Sequence, residues 1–206
     1  MARKRDFGEQ ALRILRVESR ESVMRTLVGA IAGIVSYVIL NLVSLPDYKL
    51  MGLVTVRIDL ALLVIPLAAA FLGPLAGFLV GLFGTLGVDV LLAQQIVAFG
   101  AVDLAYGVLG LIIGIPHYTQ RDGFLKSRTL GKLILVSLAG FLVMVLVYLV
   151  GLIVIAGQNI LPTMLFNFLR FFSVSLITLV IVAPVAVGLV GIVVHYAKAK
   201  WLQVPR

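Results

Sequence analysis

The sequence predicts an all-α, polytopic membrane protein with six transmembrane helices and both termini in the cytoplasm. Three observations predict it. The 206 residues are 62% hydrophobic with a mean hydropathy of +1.16, outside the range of an ordinary soluble domain. Six apolar stretches approach the roughly 20 residues that a spanning helix needs. The lysines and arginines fall almost entirely on one side of those stretches if the spans alternate in direction.

Residues 1–26 form a basic arm. Arg3, Lys4, Arg5, Arg13, Arg16, Arg20 and Arg25 stand among Glu9, Glu18 and Glu21. The basic stretch is long and runs straight into a full-length span, unlike a secretory leader. Leu12, Leu15 and Val17 between the arginines fit either a short helix on the cytoplasmic surface or a solvated tail. The membrane domain follows over 27–195. Its first span is Leu27–Leu45, its second about Val56–Leu72 and its third about Pro74–Leu92. The Gly73-Pro74 step separates the last two, because the residue before proline is pushed out of the helical region and proline suits a helix start. The fourth span is Ile96–Ile115, closed by Pro116, and the fifth is about Leu133–Ala156. The sixth runs from near Pro162 to about His195, longer than a bilayer requires. It predicts a kink at Pro184, a tilt, or a cytoplasmic extension. A tail covers 196–206.

With six alternating spans, fourteen of the seventeen basic residues lie on one side: the arm, then Arg121, Lys126, Arg128 and Lys132, then Lys198, Lys200 and Arg206. Only Lys49, Arg57 and Arg170 lie on the other. The positive-inside rule makes the first side cytoplasmic. The net charge of +8 is this topological bias and not a nucleic-acid surface. The chain has no cysteine, so disulfides and thiolate metal sites are excluded. His117 and His195 sit at cytoplasmic helix ends, where a two-histidine metal site is not expected.

Four of the nine acids collect on the outer side. Asp47, Asp59, Asp89 and Asp103 all map there, and so does Arg170. Arg57 and Asp59 stand at the outer mouth of the second span, and Asp89 lies about one turn from the outer end of the third. Asp103 lies about 10 Å into the fourth at 1.5 Å per residue. Asn167 and Arg170 occupy a similar depth in the sixth. Asn41, Tyr37, Tyr106 and Tyr148 are further hydrogen-bonding candidates. Charges within a bilayer face a protein interior or a wet cavity. Either Asp103–Arg170 and Asp89–Arg57 are ion pairs that fix helix packing, or these residues line a pocket for a small solute. The pocket is the preferred reading. Pro46–Thr55, which contains Tyr48, is either a lid over it or a plain connection.

Glycines recur at helical spacing: Gly29 and Gly33, then Gly73, Gly77, Gly81 and Gly84, then Gly107, Gly110 and Gly114. Small residues let helix backbones approach closely in lipid. Most of these fit internal packing, while Gly29, Ala32, Gly33 and Ser36 mark a place where a partner helix is able to dock. No phosphate-binding loop, zinc-protease motif or nucleophile elbow is present, so neither self-powered transport by that route nor intramembrane proteolysis is expected. The spans show no clear three-plus-three inverted repeat.

The run Ile65-Pro66-Leu67-Ala68-Ala69-Ala70-Phe71-Leu72-Gly73-Pro74-Leu75-Ala76-Gly77-Phe78-Leu79-Val80-Gly81 and the segment Tyr106-Gly107-Val108-Leu109-Gly110-Leu111-Ile112-Ile113-Gly114, on six spans with both ends inside, resemble the substrate-binding S component of energy-coupling factor (ECF) transporters. The resemblance covers Leu27 to about His195. It implies a non-enzymatic capture subunit that takes a vitamin or related micronutrient from outside under its first loop. It also implies docking on a membrane scaffold coupled to two ATPases. ATP is then used only by those partners, and this chain carries no cofactor. The family docks through A-x-x-x-A in the first helix; here the matching positions read Gly29-x-x-x-Gly33 and Ala32-x-x-x-Ser36. The substrate itself is not legible. The only tryptophan, Trp201, lies in the tail, which disfavours a site of stacked tryptophans. Arg170 suits a carboxylate, and Tyr37, Tyr48 or Phe99 suits a flat ring. The competing reading is an ion-coupled carrier with Asp89 or Asp103 as its coupling acid. A third is a membrane scaffold in which Asp103 and Arg170 are structural.

Overall fold

The computed structural model describes residues 14–15, 19–43, 48–50, 54–56, 59–92, 96–116, 127–156 and 176–202. It is helical apart from one short hairpin. In chain order the elements are α1 (Arg20–Leu42), β1 (Tyr48–Leu50), β2 (Val54–Val56), a 3-10 turn (Ala61–Leu63), α2 (Val64–Leu72), α3 (Pro74–Leu91), α4 (Ile96–Gly114), α5 (Ser127–Ala156), a π-helical segment (Ile177–Val182) and α6 (Ala183–Leu202). Three helices are long and apolar enough to cross a membrane: Arg20–Leu42, Pro74–Leu91 and Thr129–Gly151. Ala61–Leu72, Gly100–Gly114 and Thr178–Val194 are shorter apolar helices.

Several boundaries differ from hydropathy. The first helix starts at Arg20 instead of Leu27, because Ser19 caps it: the Ser19 hydroxyl accepts from the Ser22 N–H at 3.1 Å, and the Ser22 hydroxyl accepts from the Ser19 N–H at 3.0 Å. This is a reciprocal cap with serine in the place usually held by Glu or Gln. The second stretch is helical only from Ala61, not from about Val56. Val54–Val56 instead pairs antiparallel with Tyr48–Leu50, matching Tyr48 to Val56 and Leu50 to Val54. The Pro46–Thr55 loop is thus built around this hairpin, which neither a lid nor a plain connection foretold. The fifth helix begins at Ser127 instead of Leu133. At the far end α6 continues to Leu202, so most of the tail is helix. An arm helix and the start of the sixth span at Pro162 lie outside the described residues.

The Gly73-Pro74 break is where the sequence places it. Gly73 has φ 106° and ψ 177°, a conformation open to glycine and strained for any side chain, and Pro74 opens α3. Beyond this corner α3 and α4 run antiparallel with their backbones in contact. A side chain on Gly81 would meet the Tyr106 carbonyl, one on Gly110 the Gly77 carbonyl, and one on Gly114 Pro74. In contrast, α1 runs parallel to α3, with Gly33 on Val80, Tyr37 on Gly84 and Val38 on Gly87. Between α4 and α5 the pairs Gly140 with Leu109 and Gly151 with Ala101 again give an antiparallel register. Directions therefore alternate from α1 through α5.

The surface is apolar where a soluble protein would be polar. Leu27, Val28, Ile31, Val35 and Ile39 line the outside of α1, and Leu135, Leu142, Leu146, Val150 and Val154 that of α5. Water does not tolerate apolar faces of that extent, whereas hydrocarbon does. The interior holds Phe141, Leu62, Ile65, Leu109, Met144 and Leu179 together with Thr26, Thr85, Asp89, Asp103, Ser137 and Thr178. In α6 the backbone departs from α geometry just before a proline. Pro184 has no N–H for the Val180 carbonyl, and its ring crowds that carbonyl. The Ala183 N–H accordingly bonds to the Thr178 carbonyl, five residues back. The predicted disturbance at Pro184 thus takes the form of a π segment one turn upstream.

Candidate functional site

The register that brings Gly81 to Tyr106, carried one turn toward the α3–α4 connection, places Thr85 opposite Asp103. There the glycines stop and polar side chains begin. Asp103 is 2% exposed, and Thr85 and Asp89 are its polar neighbours. Neither carboxylate oxygen of Asp103 has a hydrogen-bond partner among the described residues. The Thr85 hydroxyl lies beside Asp103 and also meets the Gly81 carbonyl at 2.7 Å and the Leu82 carbonyl at 3.1 Å. That back-bond is common for threonine within a helix. A buried polar group without a partner costs about 1–3 kcal/mol, and more when it is charged.

Tyr37 closes the group from α1. It is buried, its ring lies against Gly84, and it stands within electrostatic range of Tyr106, Asp59, Asp103 and Asp89. Asn41 is partly buried one turn beyond it, at the level of Val88. Tyr148 is buried on α5, at the position the α4–α5 register sets opposite Asp103.

The other candidates have further roles or lie outside the described residues. Asp59 does a structural job: its Oδ1 accepts from the Ala61 N–H at 3.0 Å and caps the 3-10 turn that starts the second helix. Tyr48 belongs to β1, and its backbone pairs with Val56. Arg57, Asn167 and Arg170 lie outside the described residues, and so do the Asp103–Arg170 and Asp89–Arg57 pairings. Thr85 was missed. Its signal was present, since it follows Gly77 and Gly81 at the same spacing and faces the acid on α4.

The four docking positions divide into two faces. Gly29 and Gly33 turn inward, on Leu72 and Val80, so they serve internal packing. Ala32 and Ser36 are exposed, and the Ser36 hydroxyl donates to the Ala32 carbonyl at 2.8 Å. Among the described residues no cluster of three or more His, Cys, Asp or Glu side chains is arranged to hold a metal ion.

No family model fits the chain, and neither the curated proteins nor the solved structures contain a significantly similar chain.

Proposed function

We propose that this protein is the substrate-capture subunit of an ECF-type importer, with six spans and both termini in the cytoplasm. It takes a vitamin-like solute from outside and delivers it inward after docking on a scaffold and two ATPases. The observation that carries this reading is the buried pair Asp89 and Asp103, at the hairpin-bearing end of an apolar bundle. Charged side chains at membrane depth mark ligand or ion pathways, and the chain between α1 and α2 is tethered at that same end. The alternating helix directions and the resemblance of the Ile65–Gly81 and Tyr106–Gly114 segments support it. In this reading Asp89, Asp103, Asn41, Tyr48, Asn167 and Arg170 contribute to the pocket, and the exposed α1 face around Ala32 and Ser36 meets the scaffold.

Native mass spectrometry of the detergent-purified protein tests the proposal, with Asp103→Asn and Arg170→Ala alongside. A vitamin-sized mass carried by the wild type and lost in the variants is the expected result. A folded wild type that carries none, and that ignores a panel of vitamins, sinks it. The unpartnered oxygens of Asp103 favour one other reading, an ion-coupled carrier. That reading requires uptake into liposomes by this chain alone, whereas a capture subunit needs its ATPase module.

A further inference from the structure

The charges of α5 all stand at one end of it. From Ser127 to Ala156 the sequence holds no acid, and its basic residues are Arg128 and Lys132. Lys132 is exposed. At about 100° per residue, Lys132, Leu135, Leu142, Leu146, Val150 and Val154 fall on one side of the helix, and the five apolar members are all exposed. Arg128 occupies the same side one turn earlier. The face is thus an apolar stripe with a basic head. From Lys132 to Val154 it rises about 33 Å at 1.5 Å per residue, close to the roughly 30 Å of a bilayer's hydrocarbon core. When the stripe fills that core, Lys132 stands at the level of the lipid headgroups of one leaflet, and α5 brings no charge to the other.

The outer stripe of α1 differs in its head. It runs parallel to that of α5, so both begin at the same end of the bundle. It begins with Arg20 and Glu21, both exposed, whose opposite charges offset each other. The head of α5 is basic alone, and its complement is an anion that also carries a long apolar tail. We propose that this face of α5 binds an anionic phospholipid, with Lys132 on the headgroup phosphate, Arg128 adding positive charge one turn away, and an acyl chain along Leu135, Leu142 and Leu146. A zwitterionic headgroup brings its own cation and gains less from the same end. Each basic residue at a membrane surface favours an anionic lipid by about fivefold. In the proposed orientation the lipid belongs to the cytoplasmic leaflet. The site requires that α5 crosses the bilayer; it does not rest on the capture reading.

Native mass spectrometry of the full-length protein tests the site, in detergent that holds equal amounts of phosphatidylglycerol and phosphatidylcholine. The wild type is expected to retain phosphatidylglycerol over phosphatidylcholine by roughly twentyfold. Lys132→Gln lowers that ratio about fivefold, and Arg128→Gln combined with Lys132→Gln brings it close to parity. Both substitutions are conservative in size and lie at the end of the helix, so the fold is kept. Lys198→Gln on α6 leaves the ratio as it is in the wild type. Equal retention of the two lipids by the wild type overturns the proposal. So does a ratio unchanged in the double variant, or one that Lys198→Gln lowers as far, since either result means attraction to the net charge of the protein and not to this face. The ratio is read without any solute. A protein that carries no vitamin but prefers phosphatidylglycerol through Lys132 leaves this site standing while the capture reading fails, and a solute-bearing protein with equal retention does the reverse.

Discussion

Along α3 and α4 the same two helices meet in two different ways. From Pro74 to Gly81 against Tyr106 to Gly114 they touch backbone to backbone, with no space for a side chain on either glycine row. From Thr85 to Asp89 against Gly100 to Asp103 the glycine contacts end. Gly100 has nothing within 4 Å of where its Cβ would stand, and the interior there holds two acids and a threonine. The first half is a rigid seam held by close approach. The second half gives up that packing for polar groups that face one another. A pair of helices thus supplies its own clamp and its own site, and the change from glycine to Thr85 marks the boundary.

The contrast can be broken most severely in the seam. Gly81→Leu forces a side chain into the Tyr106 carbonyl, where backbone cannot yield. A loss of roughly 3 kcal/mol or more is expected, seen as failure to recover a monodisperse protein on size-exclusion chromatography. The site should respond with the opposite sign. Asp103→Leu removes a buried carboxyl, and thermal unfolding is expected to show a gain of about 1–3 kcal/mol. Solute co-purification is lost in the same variant. Destabilisation there would mean that the carboxyl is already satisfied and structural. Asp59→Ala removes a cap and costs about 1 kcal/mol, and Asp59→Asn restores it; a loss of solute without a loss of stability would return Asp59 to the pocket. The smallest effect is expected at Gly100→Ala. It adds a methyl to open space in a helix and stabilises by about 0.5–1 kcal/mol, whereas Gly110→Ala in the seam destabilises.

Much of this was legible in the sequence, and for physical reasons. Gly73-Pro74 is a strong break because both residues act on the backbone directly, and α3 and α4 then follow from apolar length. The spacing of Gly77, Gly81, Gly107, Gly110 and Gly114 showed the seam, and counting residues from the helix ends brought Asp89 and Asp103 to one end. What hydropathy could not show were features decided by local hydrogen bonding. Polar helix ends at Arg20 and Ser127 carry no apolar signal. The Tyr48–Val56 hairpin hides in a Val-Thr-Val run that reads equally well as the start of a span. The charge of Asp59 at an outer mouth is conspicuous in the sequence, while its hydrogen bond from the Ala61 N–H is visible only in three dimensions. The inward turn of Gly29 and Gly33, with Ala32 and Ser36 outward, depends on which neighbours α1 packs against, and spacing alone is blind to that.

The π segment before Pro184 has one more consequence. A wider turn inserts about one residue's worth of extra rotation, close to 100° on an ordinary helix, into the path from Ile177 to Ala183. Leu179, Ala183 and Val187 are all buried, so the stripe facing the core continues through the wide turn at spacings of four residues. Excising one residue from this stretch would straighten the hydrogen-bond ladder. The later side chains would keep their faces, because the wide turn already accommodates the residue removed.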